Sequence, residues 1–400
     1  MTHENDRKAW LAQALRDAGL DALVCTIPTN VLMLSGYWPV VGTAAAVATG
    51  DGQVAILAPE DEHELAATGW ATAVHTYQPG SLTCLSGPEE AIRGPLGAVL
   101  RDLHVQRGRI GYEDQAVYEP ASYAAMYLFQ GAIAGVLAGA APHATLLSGD
   151  GAIAPLRARL TPDEVQQVRR ACAIAGAAFT SAAAALRPGL HEPAVAAALA
   201  GPITAVALAR AGVRRAGAFT YCMSGPNAAL AGGAYARTRD RELRAGDLVL
   251  VHCNSYVDGY WTDITRTYCL GAPDARQTAQ YEAIFAARDA ALAAIYPGAR
   301  AADVDRAARD VLAARGFGDY FTHGLGHNVG FSAISAEFPP RLHPASPDRL
   351  EVGMTFNVEP AIYIAGYGGL RHCDVVTVRA GGPEVLTPFQ ARIEDLIARG

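Results

Sequence analysis

Apolar positions along the first 150 residues change their period repeatedly. Between residues 7 and 18, Trp10, Leu11 and Leu15 recur at helical spacing, and Gly19 stops the run. Ala22–Thr26 reads as a short buried strand. Thr43–Thr49 and Gln53–Leu57 are apolar runs around Asp51-Gly52, a hairpin turn signal. An acidic helix near Glu60–Thr68, a strand near Ala73–Tyr77, and helices near Glu89–Leu103 and Ser122–Ala134 follow. Frequent strands among helices predict a small α/β layer, a sheet with helices packed on it.

The small, turn-rich stretch 148–154 (SGDGAIA) reads as a linker, which divides the chain into domains at 1–150 and 155–400. Thr161 can cap a long helix, with Pro162 at its first position and Glu164 completing a capping box; Arg187-Pro188-Gly189 ends it. Helices over about 162–186 and 193–211 precede strands at 217–222, 246–254 and 260–268. Helices over about 275–295 and 302–315 precede strands at 321–329, 353–362 and 371–378. Two helices then strands, twice over, predict a duplicated α+β unit with a pocket between its halves.

Composition narrows the classes. Four hundred residues, 51% of them hydrophobic and 18% charged, suffice for two or three domains of roughly 150 residues with large cores. The net charge of −7 argues against a dedicated nucleic-acid binder. No apolar run reaches about 18 residues, so no membrane span is expected. The start, MTHENDRKAW, lacks the order of a secretory signal. Cys25, Cys84, Cys172, Cys222, Cys253, Cys269 and Cys373 are odd in number and form no CxxC pair, against a disulfide frame or zinc finger. The expectation is a soluble, cytoplasmic protein with reduced thiols.

Four segments set ionisable groups into apolar strands: Gly246–Val251 leading to His252 and on to Asp263 and Arg266, then His323–Gly330, Phe356–Pro360 and Gly369–Asp374. A buried charge without a partner costs several kcal/mol, so such strands carry metals, ion pairs or catalytic groups. Singly, each has an ordinary reading: Glu359 before a proline as a solvated strand end, Asp263 as a partner of Arg266, Cys373 as a small hydrophobe. Together His, His, Asp, Glu and Cys are the ligand types of a divalent transition metal.

These segments resemble the pita-bread metallopeptidases, which include Xaa-Pro aminopeptidase, prolidase, methionine aminopeptidase and metal-free creatinase. The motifs that carry the resemblance are SGPNAAL at 224–230, RELRAGDLVLV at 241–251, GYWTDITRTY at 259–268, HGLGH at 323–327 and GMTFNVEPAIY at 353–363. It implies an α+β pita-bread catalytic domain, preceded by a smaller α/β amino-terminal domain of the creatinase and prolidase type. A homodimer acting on a small peptide or amide is also implied, with neither nucleic acid nor membrane as partner.

The family's paired metals are held by Asp, Asp, His, Glu and Glu. The second Asp falls on Asp263, the His on His327 and the first Glu on Glu359. The first Asp falls on His252 and the last Glu on Cys373. Strand alternation favours Cys373 over His372, because Cys373 shares a face with Arg371. Two histidines that hold substrate or shuttle protons in the family fall on Gly232 and Ile334, whereas His323 and Arg371 match. Two adjacent dications need several carboxylates, and only two remain. The resemblance therefore implies at most one divalent ion, zinc or manganese. It would be held by Asp263, His327 and Glu359, with His252 or Cys373 completing the shell; an empty site is the alternative. Glu359, His323, His252 and Arg371 are the candidate catalytic residues. The leading functional expectation is a hydrolase of short peptides of the Xaa-Pro dipeptidase or aminopeptidase type. A metal-free creatinase-like C–N hydrolase, with His252 as base, and a non-enzymatic relative are the alternatives.

Overall fold

A computed structural model describes residues 3–83, 85–115, 124–210, 212–233 and 237–398. The chain divides into two compact units, Met1–Thr161 and Pro162–Gly400.

The first unit runs α1 (His3–Ala18), β1 (Ala22–Cys25), α2 (Pro28–Ser35), β2 (Ala45–Thr49), β3 (Val54–Pro59), β4 (Ala73–Tyr77), α3 (Pro88–Asp102), β5 (Arg109–Tyr112), α4 (Gly131–Ala140), β6 (Thr145–Ser148) and α5 (Asp150–Ala158). These six strands form one mixed sheet in the order β4-β3-β2-β1-β5-β6. Gly52, at φ +86°, makes the tight turn between β2 and β3. Alternation places Ala22, Val24, Val47 and Leu57 in one core with Ile92, Leu96 and Val99 of α3 and Ile133, Val136 and Leu137 of α4.

Two expectations for this unit are corrected. The stretch 148–154 is no linker: α5 begins at Asp150, because Ile153 and Leu156 are buried and Arg7 of α1 donates to Leu156 O (2.9 Å) and Arg159 O (3.1 Å). Residues 155–161 thus belong to the first unit. The helix expected near Ser122–Ala134 begins only at Gly131, since Ala124–Ala125 pairs with Val41–Gly42 and Gln130 turns the chain at φ +51°. Ser122 and Cys84 lie outside the described residues.

The second unit opens with α6 (Pro162–Ala185) and α7 (Glu192–Leu208), followed by β7 (Ala216–Ser224), β8 (Leu248–Val257) and β9 (Tyr260–Leu270). Then come α8 (Ala275–Ala293), started by a capping box between Asp274 and Gln277, and α9 (Ala301–Ala314). Five short strands follow: β10 (Thr355–Val358), β11 (Ala361–Ile364), β12 (Gly368–Arg371), β13 (Asp374–Arg379) and β14 (Gly382–Val385). A two-residue strand, β15 (Ile397–Ala398), completes the order β15-β9-β8-β7; β10-β13-β14 and β11-β12 are separate small sheets.

The turn between β8 and β9 is Asp258-Gly259, both at positive φ (+49° and +89°), a two-residue hairpin that fixes the register. Three strands expected as continuous are not. Residues 321–329 form no strand; they carry isolated bridges at Gly326 and Asn328 and single hydrogen bonds to neighbouring segments, such as Val329 N to Thr355 O (3.1 Å). The strand over 353–362 breaks at Glu359-Pro360, where proline has no N–H for a ladder. The strand over 371–378 breaks at His372-Cys373, where Cys373 N turns to Thr265 O (3.0 Å) in β9.

Candidate functional site

The hairpin register decides how β8 and β9 present their polar residues. His252 pairs with Thr265, and Asp263 pairs with Asn254. His252 is therefore diagonal to Asp263 rather than across from it, yet on the same face, with Nδ1 3.6 Å from Asp263 Oδ1. Glu359 directly follows β10 and is anchored by its N–H to Leu325 O (2.9 Å). His327 arrives from the turn-rich segment, its N–H donating to Asn357 Oδ1 (2.6 Å). A methyl on Gly326 would lie 1.9 Å from Asn357 O, so glycine there lets the two chains meet.

Asp263, Glu359 and Cys373 each offer a ligand atom within 4.8 Å of the others. His327 Nε2 lies 3.3 Å from Asp263 Oδ2 and 3.9 Å from Glu359 Oε1. Its Nδ1 donates to Asn328 O (3.2 Å), which leaves the Nε2 lone pair facing the cluster. Asp263 Oδ1 is buried with no hydrogen-bond partner. One imidazole, two carboxylates and one thiol around an orphaned oxygen fit a single divalent ion of the zinc type. His252 is beside this set but turned to Arg371: its Nδ1 accepts from Arg371 Nη2 (3.1 Å), and its Nε2 is 3.2 Å from Asn254 Oδ1.

Strand alternation holds through the break. Arg371 and Cys373 face the cluster, while Asp374 faces away, into a pair with Arg266 (2.8 Å) and Arg288 (2.5 Å). Arg266, an expected partner of Asp263, belongs wholly to that opposite face, and its Nη1 also holds Cys373 O (2.6 Å).

Burial and charge set the protonation states. Burial pushes His252 down to about 4, with Asp263 opposing and Arg371 adding to the shift. Burial also lowers His323. Burial would raise Asp263, but His252, His327 and Arg371 together hold it below the usual carboxylate range. His327 goes up in spite of burial, because Asp263 hydrogen-bonds and attracts its charged form. Burial, then the charges of Asp263 and Glu359, push the Cys373 thiol up.

Asp263, His327 and Glu359 line a cavity of about 440 Å³, together with His323, Arg371, Arg341 and His343. His323 donates from Nδ1 to Gly324 O (2.8 Å) and accepts at Nε2 from the Tyr363 hydroxyl (3.1 Å). Gly232 and Ile334 line the same space, making part of its wall apolar. A methyl on Gly232 would lie 3.0 Å from the Tyr363 ring, so the missing side chain there is what admits Tyr363.

Sequence reasoning missed Asn357, Tyr363, Thr265 and Arg341. Asn357 Nδ2 reaches Asp263 Oδ2 (3.4 Å), His327 Nε2 (3.2 Å) and Cys373 Sγ (3.6 Å), so it ties three of the cluster's members together. Its signal was available: it stands two residues before Glu359, hence on the same strand face.

Comparison with known proteins bears on both units. Residues 166–380 match the sequence model of metallopeptidase family M24, and residues 7–158 that of the creatinase/prolidase N-terminal domain. The chain is 33% identical over 244 residues to the Xaa-Pro dipeptidase of Pyrococcus furiosus, covering 61% of this chain and 67% of that protein. It is 37% identical over 220 residues to the probable dipeptidase PepE of Mycobacterium tuberculosis H37Rv, covering 55% of this chain and 56% of that protein. In these alignments the chain spans about two thirds or less of its curated relatives' length. The crystal structure of dipeptidase PepE from Mycobacterium ulcerans superposes with a TM-score of 0.75 at 28% identity, covering 100% of this chain and 98% of that one. The expected architecture, a pita-bread unit after a smaller α/β unit, is the one found.

Proposed function

We infer that this chain, which belongs to metallopeptidase family M24, hydrolyses short peptides in the manner of an Xaa-Pro dipeptidase, using at most one tightly bound divalent ion. The observation that carries the reading is the convergence of Asp263, with its orphaned oxygen, His327 and Glu359 on one cavity wall, with the Cys373 thiol within 4.8 Å of the two carboxylates. Asp263, His327 and Glu359 would hold the ion, with Cys373 completing the set. Bound there, a divalent ion polarises a carbonyl and makes water a nucleophile near neutral pH. Glu359 takes the proton from the attacking water and returns it to the departing amine nitrogen as the C–N bond breaks. His323 stays neutral and holds the Tyr363 hydroxyl beside the reacting group. Arg341, fixed by Asp348 at 2.7 Å and partly exposed on the cavity lining, suits the free carboxylate of a dipeptide.

The metal-free alternative needs His252 as a base. Both its ring nitrogens are engaged, Nδ1 by Arg371 and Thr265 and Nε2 by Asn254, which weighs against that role. We further infer a homodimer working in a reducing cytoplasm. No described helix is long and apolar enough to cross a membrane, and the six described cysteines are free and buried.

The deciding experiment incubates the protein with Xaa-Pro dipeptides and with the same peptides amidated at the carboxyl end, with elemental analysis of the same sample. Cleavage of the free-acid peptides with no more than one ion per subunit is expected. Ion-independent turnover of a small non-peptide C–N substrate, with peptides left intact, would overturn the reading. Sedimentation at micromolar concentration tests the dimer.

A further inference from the structure

Glu359 faces two ways. Its Oε1 lies 3.9 Å from His327 Nε2, on the side of Asp263, and its Oε2 lies 3.8 Å from Arg371 Nε. A carboxylate that bridges two ions divides its oxygens in the same manner. Here a guanidinium stands on the second side. Arg371 is buried, keeps its charge at any ordinary pH, and is fixed by Thr265 Oγ1 (3.0 Å) and the Tyr363 hydroxyl (3.5 Å).

The bond from Arg371 Nη2 to His252 Nδ1 (3.1 Å) decides what position 252 can hold. His252 Nε2 faces the amide oxygen of Asn254 (3.2 Å), which only accepts, so the ring proton sits on Nε2. Nδ1 then has one lone pair, directed at Arg371 and at the Thr265 hydroxyl (3.0 Å). A carboxylate at this position can hold a cation with one oxygen and Arg371 with the other. A neutral imidazole has a single acceptor nitrogen and cannot do both.

We propose that the Arg371–His252 hydrogen bond excludes a second ion by taking the one acceptor nitrogen of a neutral imidazole, while Arg371 presents a fixed positive charge to Glu359. The inference rests on the one-ion reading above and adds which residues exclude the second. Arg371 and His252 are then positioning residues. They act through Glu359, and their charge and geometry persist when the bound ion is removed.

The test uses full-length protein labelled with ¹⁵N in its histidine rings, titrated with zinc. One equivalent should bind, with a coordination shift at His327 Nε2 and none at His252 Nδ1. His252→Asp should then take up a second equivalent, because a carboxylate serves Arg371 and an ion together. Arg371→Met, which leaves Nδ1 only the rotatable Thr265 hydroxyl, should gain a second equivalent too; His252→Asp keeps the test alive if that variant misfolds. Two equivalents in the unmodified protein, a zinc shift at His252 Nδ1, or a single equivalent in His252→Asp would each overturn the proposal. If the protein takes up no ion the proposal also falls, and peptide turnover by the same ion-free sample decides the hydrolase reading separately. If stoichiometry and shifts are as expected but no peptide is cleaved, only the hydrolase reading falls.

Discussion

Each unit buries a carboxylate, and the two are treated in opposite ways. Glu113, just after β5, accepts hydrogen bonds from Thr26 N (2.8 Å), Ile27 N (3.1 Å) and Asn30 Nδ2 (2.8 Å). Its oxygens are saturated by the chain around it, and burial still pushes its pKa up to about 7. Asp263 has one oxygen with no donor at all, and its charged or coordinating neighbours are His252, His327, Glu359 and Cys373. Burial of a charge is therefore not what distinguishes a reactive site from a structural one. The distinguishing feature is a lone pair left unsatisfied where other ligands converge.

The largest effect should come from exchanging the charge at each place for an amide. Asp263→Asn should cost several kcal/mol of transition-state stabilisation, roughly 10³-fold or more in kcat/KM on an Xaa-Pro dipeptide, and should abolish ion uptake measured by calorimetry. Glu113→Gln should leave both within about twofold, a difference too small to register as a named mechanism. Equal losses from the two variants would dissolve the contrast.

Neighbouring positions sharpen it at the next level. Asp374 is saturated by Arg266, Arg288 and Thr387, while Cys373 beside it faces the cluster. Asp374→Ala strands two buried guanidinium groups and should lower stability to urea by about 3–5 kcal/mol. Cys373→Ala removes one small thiol and should cost about 1 kcal/mol, with its main effect on ion affinity.

The most gradual effect is a pH slope. The folded-state pKa of Glu113 is raised from 4.5 to about 7, so the folded chain binds the extra proton between those values. The stability this group contributes is complete below about 4.5 and is lost as pH rises through about 7, to a limit of about 3 kcal/mol. Hydrogen exchange of the β1 and β5 amides should show protection falling over that window, and Glu113→Gln should flatten the profile.

Much of this was legible in the sequence. The helices of the second unit lie within a few residues of their expected bounds, because capping signals and alanine-rich runs are local. The residues of the cluster could be placed because unpaired ionisable groups in apolar strands are conspicuous. What escaped were features fixed by other parts of the chain. The break at Glu359-Pro360 was written in the proline, but the break at Cys373 depends on Thr265, more than a hundred residues earlier. The segment 321–329 is apolar enough for a strand, yet Gly324 and Gly326 serve close passage beside Leu342 and Asn357 rather than pairing. Asn357 and Tyr363 carry no charge: Tyr363 reads as core, and Asn357 is marked only by sharing a strand face with Glu359 two residues on.

The backbone at position 373 is held at both ends by groups indifferent to its side chain: its N–H by Thr265 O and its carbonyl by Arg266. Position 252 is likewise locked by its ladder partners on both sides. The side chain at either position can therefore be exchanged with those backbone bonds left in place. The scaffold behaves as a socket with interchangeable pins, and shared architecture among such proteins is a poor guide to shared chemistry.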